Sequence, residues 1–182
     1  WASTEIGPDY IVTVGRPLGD MYGYISDGRY SVDEFTHDGK SWVANEGTVD
    51  ASDVLGKEFF RPGAMKLKDM NGDGKITVDD KTIIGNPNPD IYGNLFTRLS
   101  YKDLSLDVNF NYSVGNDVYN YYRQQLESGS SFYNQTTAML NRWTVDGQLT
   151  DIPSIAYGDP VGNSRFSDRW IEDGSYLRLK SV

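Results

Sequence analysis

Residues 104–114 alternate strictly between apolar and polar side chains, and this alternation constrains the fold more than any other feature of the chain. The apolar positions are Leu104, Leu106, Val108, Phe110, Tyr112 and Val114, and the positions between them are Ser105, Asp107, Asn109, Asn111 and Ser113. Successive side chains of a β-strand point to opposite faces, whereas a helix would scatter this pattern around its circumference. The segment is therefore predicted to be a long strand with one apolar and one polar face.

A second alternating run comes just before the first and predicts the other half of a hairpin. One face of this run carries Leu95, Thr97, Leu99 and Tyr101, and the other carries Asn94, Phe96, Arg98 and Ser100. Lys102 and Asp103 alone separate the two runs, which is the spacing of a tight antiparallel turn. We therefore predict paired strands at 93–101 and 104–114.

The length of this hairpin favours a strand that crosses a membrane. Strands of soluble proteins usually run about 5 to 6 residues, whereas a tilted strand that crosses a bilayer needs about 9 to 11. One apolar face and one polar face suit a barrel wall that has lipid outside and water inside. A long hairpin that covers the core of a soluble β-sandwich is the alternative, and the hairpin alone leaves both open.

Composition excludes some classes of protein and leaves others. No apolar run approaches the roughly 20 residues of a membrane helix, so any crossing must be made by strands. The chain carries 17 basic and 26 acidic residues, a net charge of -9 that argues against nucleic acid as a partner. The absence of cysteine fits an extracellular or envelope protein without disulfides, but it does not decide the compartment.

Two further strands are predicted near the ends of the chain. With the hairpin they make four strands, near 10–15, 93–101, 104–114 and 175–182. If these strands are neighbours, their connections run long, short, long. Outer-membrane barrels have short periplasmic turns and long extracellular loops. We therefore expect residues 16–92 and 115–174 to be extracellular loops, and the turn at 102–103 to face the periplasm.

The long connections are expected to be folded and to carry short helices. One helical turn is predicted at 52–56. A helix capped by Asn116 or Asp117 is predicted through 126, and another at 134–143. The fold class is thus all-β and mainly antiparallel, as part of a transmembrane β-barrel with long extracellular loops.

Residues 69–80 carry the sharpest chemical motif in the sequence. Oxygen-bearing side chains at the first, third and fifth positions, a glycine at the sixth and a carboxylate at the twelfth match the spacing of a calcium loop. The expected ligands are the side chains of Asp69, Asn71, Asp73 and Asp80, the backbone carbonyl of Lys75, and Thr77 directly or through water. The alternative is a turn that holds itself by side-chain to backbone hydrogen bonds and binds no ion. Since the loop occurs once, we expect structural calcium rather than a sensor.

The sequence offers little material for catalysis, and we assign no catalytic residues. His37 is the only histidine, and no cysteine is present to form a nucleophilic site. The main rival function is a soluble, extracellular, calcium-stabilised module that binds carbohydrate on an aromatic platform. The candidate platform residues are Tyr119, Tyr121, Tyr122, Phe132, Tyr133 and Trp143.

Several phrases of the sequence, taken together in order and spacing, resemble one family. They lie at 19–24, 62–63, 68–76, 84–87, 99–102, 115–120, 142–144 and 173–180. These phrases resemble the C-terminal barrel portion of SusC/RagA-type TonB-dependent outer-membrane transporters, and they span nearly the whole chain.

The resemblance implies a barrel of about 22 strands with a plugged lumen, located in the cell outer membrane. It also implies a SusD-like surface lipoprotein as partner, contact with TonB through a part outside this chain, and import of a glycan or a peptide. The substrate-binding residues stay unknown. Because the chain starts at Trp1 and stops within a predicted strand, we expect a fragment that needs the remainder of the barrel and plug.

Overall fold

The computed structural model describes residues 3–6 and 9–182, and these form mostly short antiparallel strands. The strands are β1 (Ser3–Ile6), β2 (Tyr10–Thr13), β3 (Asp20–Gly23), β4 (Ser26–Arg29), β5 (Phe35–His37), β6 (Trp42–Ala44), β7 (Met65–Leu67), β8 (Thr82–Gly85), β9 (Ile91–Tyr101), β10 (Leu104–Val114), β11 (Asp117–Tyr119), β12 (Ile171–Asp173) and β13 (Tyr176–Ser181). The α-helices are α1 (Ser52–Leu55) and α2 (Tyr121–Glu127), and 3-10 turns lie at Val32–Glu34, Val78–Asp80, Thr137–Asn141 and Asp168–Trp170. The all-β, mainly antiparallel fold class is confirmed.

None of the helices in the described residues has the length and apolar character needed to span a membrane.

The chain divides into two compact units, each built from segments that are distant in sequence. The first, called the sheet unit here, comprises Trp1–Met21, Gly85–Tyr119 and Ile171–Val182. The second, called the loop unit, comprises Tyr22–Ile84 and Asn120–Trp170. The loop unit thus gathers most of the two long connections that the sequence predicted.

The predicted hairpin forms the centre of the sheet unit. β9 and β10 pair in register from Tyr101 opposite Leu104 to Ile91 opposite Val114, and Lys102 and Asp103 make the turn. β13 pairs antiparallel with the other edge of β10, which gives the strand order β13-β10-β9. The three long strands near 93–101, 104–114 and 175–182 are therefore found as neighbours.

The strand predicted at 10–15 lies in a different sheet. β2 ends at Thr13 and pairs with β1 and β3, in a sheet of order β1-β2-β3-β8. The chain turns directly after β2, where the amide of Arg16 donates to the carbonyl of Thr13, so the next segment folds back along it. The expectation that 10–15 adjoins the hairpin strands is wrong for the described pairings.

A hydrophobic core occupies the first segment of the loop unit. Its buried members are Tyr24, Tyr30, Phe35, Ala51, Leu55, Phe60, Ala64, Met65, Leu67 and Ile76. Tyr30, Phe35 and Phe60 pack edge to face with ring centroids 5.1 to 5.7 Å apart, a geometry that favours aromatic pairs. The Tyr30 hydroxyl donates to the carbonyl of Val49 at 2.8 Å, so its polar end is satisfied. Residues 22–84 are folded, as expected.

The second segment of the loop unit packs onto this core through specific contacts. The amide of Tyr24 donates to the carbonyl of Phe166 at 3.1 Å. The guanidinium of Arg29 donates to the carbonyls of Thr150 and Gln148, both at 2.9 Å. These bonds tie together residues more than a hundred positions apart, so the two segments form one folded body.

The predicted helices are displaced or shortened. α2 starts at Tyr121 because Asn120, rather than Asn116 or Asp117, accepts the N-terminal hydrogen bond from the amide of Arg123. The residues before it form β11, which pairs with the distant β12. The helix predicted at 134–143 is the single 3-10 turn Thr137–Asn141, whereas the turn at 52–56 matches α1 and its cap Gly56.

Candidate functional site

The apolar face of the β13-β10-β9 sheet is exposed within its unit. Leu104 is 76% exposed, Leu177 is 73% exposed and Leu99 is 60% exposed. The other large aliphatic side chains exposed on this face are Ile91, Leu95, Leu106, Val114 and Leu179. No buried residue of the core cluster comes from this sheet. The face is therefore not covered by a helix or a second sheet in the part of the chain that the structure describes.

Aromatic side chains stand near both ends of this apolar face. Tyr101 lies next to the turn, with the ammonium of Lys102 5.3 Å from its ring centroid. Tyr112 lies near the opposite end and lies across from Gly93, where an added Cβ would come 2.7 Å from the tyrosine hydroxyl. Tyrosine at both borders of an apolar band is typical of strands at membrane interfaces.

The opposite face of the sheet carries mostly polar side chains, which bond across the strands, together with the exposed rings of Phe96 and Tyr92. The guanidinium of Arg98 donates two hydrogen bonds to Asp107, at 2.6 and 2.7 Å. The amide of Asn94 donates to the side-chain oxygens of Asn109 and Asn111, both at 2.6 Å. This face suits contact with water.

The two hairpin strands are long enough to cross a bilayer when tilted. Each has 11 residues, which at about 3.4 Å per residue gives about 37 Å, or a height of about 28 Å at a tilt of roughly 40°. The apolar band of outer-membrane barrels is about 25 Å tall. The dimensions and the two-faced pattern therefore fit a segment of barrel wall.

The loop at 69–80 is held by its own side-chain oxygens. The carboxylate of Asp69 accepts from the amides of Gly72 at 2.6 Å and Gly74 at 2.8 Å. Asn71 accepts from the amide of Asp73 at 2.9 Å, and Asp73 accepts from the amide of Lys75 at 2.8 Å. These bonds lower the pKa of the Asp69 carboxyl, mainly through the amide of Gly74 and then that of Gly72.

Asp80 closes the base of this loop and is fully buried. One carboxylate oxygen accepts from the amide of Met70 at 2.9 Å, and the other accepts from the amide of Thr77 at 2.8 Å. The Thr77 hydroxyl accepts from the amide of Asp79.

The structure thus brings Asp69, Asn71 and Asp73 into one turn and places Asp80 at its base, with the oxygens engaged by backbone amides. Among the described residues, no group of three or more His, Cys, Asp or Glu side chains is close enough to hold a metal. The hard oxygen donors nevertheless fit calcium in kind.

The aromatic residues predicted as a sugar platform do not all lie on the surface. Tyr119 is buried, and the Trp143 ring lies against Gly63. Phe132 is exposed and stacks on Tyr157 with centroids 4.9 Å apart. His37 lies in β5 with its ring 4.9 Å from that of Trp42.

Curated relatives match the chain over most of its length. TonB-dependent receptor P3 of Formosa agariphila is 33% identical over 172 residues, which are 94% of this chain and 15% of the relative. TonB-dependent receptor P26 of the same organism is 34% identical over 142 residues, 78% of this chain and 14% of the relative. The chain therefore spans about 15% of the length of the curated relatives it matches. No family model matches the chain.

Solved structures also match the chain over nearly its whole length. The RagAB peptide importer in its closed-closed state is 26% identical, with a TM-score of 0.64 over 99% of this chain and 18% of that one. The RagAB peptide transporter is 23% identical with a TM-score of 0.68, and covers 99% of this chain and 17% of that one. By sequence and by fold, the chain belongs to the TonB-dependent receptors of the SusC/RagA type, which are proteins of the outer membrane.

Proposed function

We propose that this chain is a section of an outer-membrane transporter that imports a nutrient. The observation that carries the proposal is the exposed apolar face of the β13-β10-β9 sheet, backed by a polar face with the Arg98–Asp107 pair. A soluble monomer rarely exposes a contiguous apolar patch larger than a few hundred Å². A barrel wall places that face against acyl chains and the polar face toward the lumen.

The same proposal places the loop unit outside the cell. The turn at Lys102–Asp103 is short, whereas the chain between β10 and β13 is long and folded. Short turns face the periplasm and long loops face outward in such barrels. The loops 16–92 and 115–174 are then extracellular, except for Ile91 and Tyr92, which begin β9.

The imported ligand is proposed to be a peptide or a glycan. Peptide is favoured because the similar solved structures are of a peptide importer, RagAB. The partners are a SusD-like surface lipoprotein, the rest of the barrel and plug, and TonB. The lipoprotein and TonB are inferred from the family and are not represented in this chain.

Uptake by cells tests this function. A strain lacking the receptor is compared with one carrying it, each given fluorescent oligopeptides and, separately, oligosaccharides. Accumulation of one class in the carrying strain alone, lost when TonB is removed, is the expected result. Equal accumulation of both ligand classes in the two strains contradicts import by this receptor.

We also propose that the loop at 69–80 binds calcium as a structural ion. The donor chemistry and the bend at Gly72 and Gly74, both with positive φ, support it. The carboxylates also accept hydrogen bonds from backbone amides, so ion binding competes with these hydrogen bonds. We therefore expect a dissociation constant for calcium of about 0.1 to 1 mM, as in extracellular modules.

Calorimetry on the receptor with its calcium removed measures this binding. Asp73→Asn is expected to weaken binding about tenfold or more, since it removes one carboxylate ligand. Asp79→Asn, an exposed carboxylate of the same loop that is not an expected ligand, is the matched control. Equal affinity in both variants contradicts the assigned ligand set.

A further inference from the structure

A pocket of about 250 Å³ on the loop unit gathers positive charge in a chain whose net charge is -9. Its walls are Lys40, Ser41, Trp42, Lys57, Glu58, Phe60 and Arg61. Three cations and one carboxylate thus meet in one small space. All of these residues belong to the first segment of the loop unit.

The β5–β6 hairpin fixes one wall of the pocket. Trp42 pairs with His37 across the strands, and their rings meet edge to face at 4.9 Å. The carboxylate of Asp38 accepts from the amides of Lys40 at 2.8 Å and Ser41 at 2.7 Å, which holds the turn. The indole of Trp42 is 37% exposed and so offers a ring surface to a ligand.

The segment after α1 fixes the opposite wall. The carbonyl of Gly56 accepts from the amides of Phe59 at 3.0 Å and Phe60 at 3.1 Å, and Gly56 has a φ of 86°. Phe60 is anchored in the aromatic core, 5.1 Å from the ring of Tyr30. The backbone that carries Lys57 and Arg61 is therefore ordered by bonds and packing, and the pocket is formed before any ligand arrives.

The cations of this pocket have no partner among the residues that the structure describes. The ion pairs among the described residues are Arg16–Asp20, Lys66–Glu34, Arg98–Asp107 and Arg123–Glu127, and none of them lies in the pocket. Among the same residues, no hydrogen bond engages the charged groups of Lys40, Lys57 or Arg61. By contrast, Lys66 of the same unit lies 2.5 Å from Glu34. Neighbouring like charges repel one another, and an anion in the pocket relieves that repulsion.

We propose that this pocket binds a tetrahedral oxyanion, the sulfate or phosphate group of a ligand whose ring stacks on Trp42. Guanidinium and ammonium groups are the usual partners of such oxyanions, because both are positively charged hydrogen-bond donors. Glu58 opposes binding by its charge. The inference is independent of the import proposal, because it concerns one pocket of the loop unit whatever the barrel transports.

Equilibrium dialysis of the full receptor in detergent tests the site with radiolabelled sulfate and, separately, phosphate, with ionic strength held constant by chloride. Saturable binding of either anion is expected. Arg61→Ala and Lys57→Ala should each weaken it about two- to fivefold, as for an exposed ion pair. Glu58→Gln should strengthen it, because the one carboxylate among the lining residues is neutralised. The anion bound more tightly identifies whether sulfate or phosphate is the natural group.

Lys68→Ala is the matched control, since it removes an exposed positive charge of the loop unit outside the pocket. It should leave binding unchanged. An equal loss in Lys68→Ala, or absence of saturable binding by the unaltered receptor, overturns the proposal. Glu58→Gln controls for misfolding, because a gain in affinity requires an intact pocket. A loss of affinity in Glu58→Gln also overturns the proposal.

Discussion

Gly63 shows at the residue scale how tightly the two segments of the loop unit fit. Its φ is 83°, and an added Cβ would lie 2.3 Å from the Trp143 ring. Gly28 has a similar φ of 76°, but a Cβ there would meet nothing within 4 Å. Alanine substitutions at the two glycines therefore distinguish the cost of backbone strain from the cost of overpacking.

Gly63→Ala is expected to destabilise the loop unit by about 2 to 4 kcal/mol, as the sum of left-handed strain and overpacking. Gly28→Ala should cost only about 1 to 2 kcal/mol, from strain alone. Urea-dependent proteolysis of the loop unit in the folded receptor measures both. Equal costs would mean that the Trp143 contact adds nothing.

Asp69 makes the acidic loop sensitive to acid. The amides of Gly74 and Gly72 lower the pKa of this carboxyl in the folded chain. A lowered pKa contributes stability above the unfolded value of about 3.9, and that contribution is lost as pH falls through the folded value. Hydrogen exchange at residues 69–75 should therefore show more protection in the unaltered chain than in Asp69→Asn at pH 6, with the difference shrinking as the pH falls below about 4 and vanishing below the lower folded pKa. A difference that persists in strong acid would contradict this origin.

The candidate sites differ in how visible they are in the sequence. The acidic loop is visible because its oxygen donors alternate within twelve consecutive residues, 69–80. The oxyanion pocket is not, because Lys40 lies 17 residues before Lys57 and joins Lys57 and Arg61 only through the fold of the loop unit. No local pattern marks such a site.

At the scale of elements, the apolar and polar faces of β9 should respond oppositely to charge. Leu95→Lys places an ammonium on the apolar face near the middle of the strand, where lipid exposure costs about 2 to 4 kcal/mol. Asn94→Lys places the same charge on the polar face, where it loses the exposed bonds to Asn109 and Asn111, and should cost only about 1 kcal/mol. Denaturant titration of the receptor in lipid vesicles gives both values. Similar costs would exclude lipid from the Leu95 side.

The turn of the hairpin carries avoidable strain. Lys102 has a φ of 51°, a conformation that costs an L-residue about 1 to 2 kcal/mol. Lys102→Gly should therefore stabilise the hairpin by about 0.5 to 1 kcal/mol, after loss of the cation–π contact with Tyr101. Lys102→Ala loses the contact and keeps the strain, so it should destabilise. The same titration distinguishes the two, and a stabilising alanine would refute the assignment of strain.

The long strands could be predicted from sequence together with their pairing, whereas the short elements were predicted only in part: α1 and β2 were, and the helices expected after Asn116 and at 134–143 were displaced or shortened. A period of two over the eleven residues of β10 is compatible only with a strand, and the pairing of β9 with β10 confirms the predicted hairpin. Val118 and Tyr119 also fit a helical pattern, but they form a strand because they pair with β12, which is more than fifty residues away in sequence. β2 has only four residues, and its neighbours β1 and β3 carry no signal that distinguishes them from the barrel strands.

At the scale of the whole molecule, the proposed orientation makes the loop unit accessible from outside the cell and the hairpin turn accessible from the periplasm. The sequence contains no cysteine, so single cysteines can be introduced into it cleanly. Leu149 is fully exposed in the loop unit, and Asp103 lies in the hairpin turn.

An impermeant maleimide should label Leu149→Cys on intact cells, and Asp103→Cys only after the outer membrane is permeabilised. The unaltered receptor controls for cysteines elsewhere in the protein. Labelling of Asp103→Cys on intact cells would reverse the orientation.

The contact between Gly63 and Trp143 also sets an order of events during biosynthesis. The ribosome releases Gly63 well before the tryptophan that covers it, and the whole β9–β10 hairpin lies between them. Until Trp143 is in place, the first segment of the loop unit therefore keeps the surface around Gly63 uncovered. Final packing of the loop unit therefore has to wait for the last third of this sequence, after the membrane hairpin has been made.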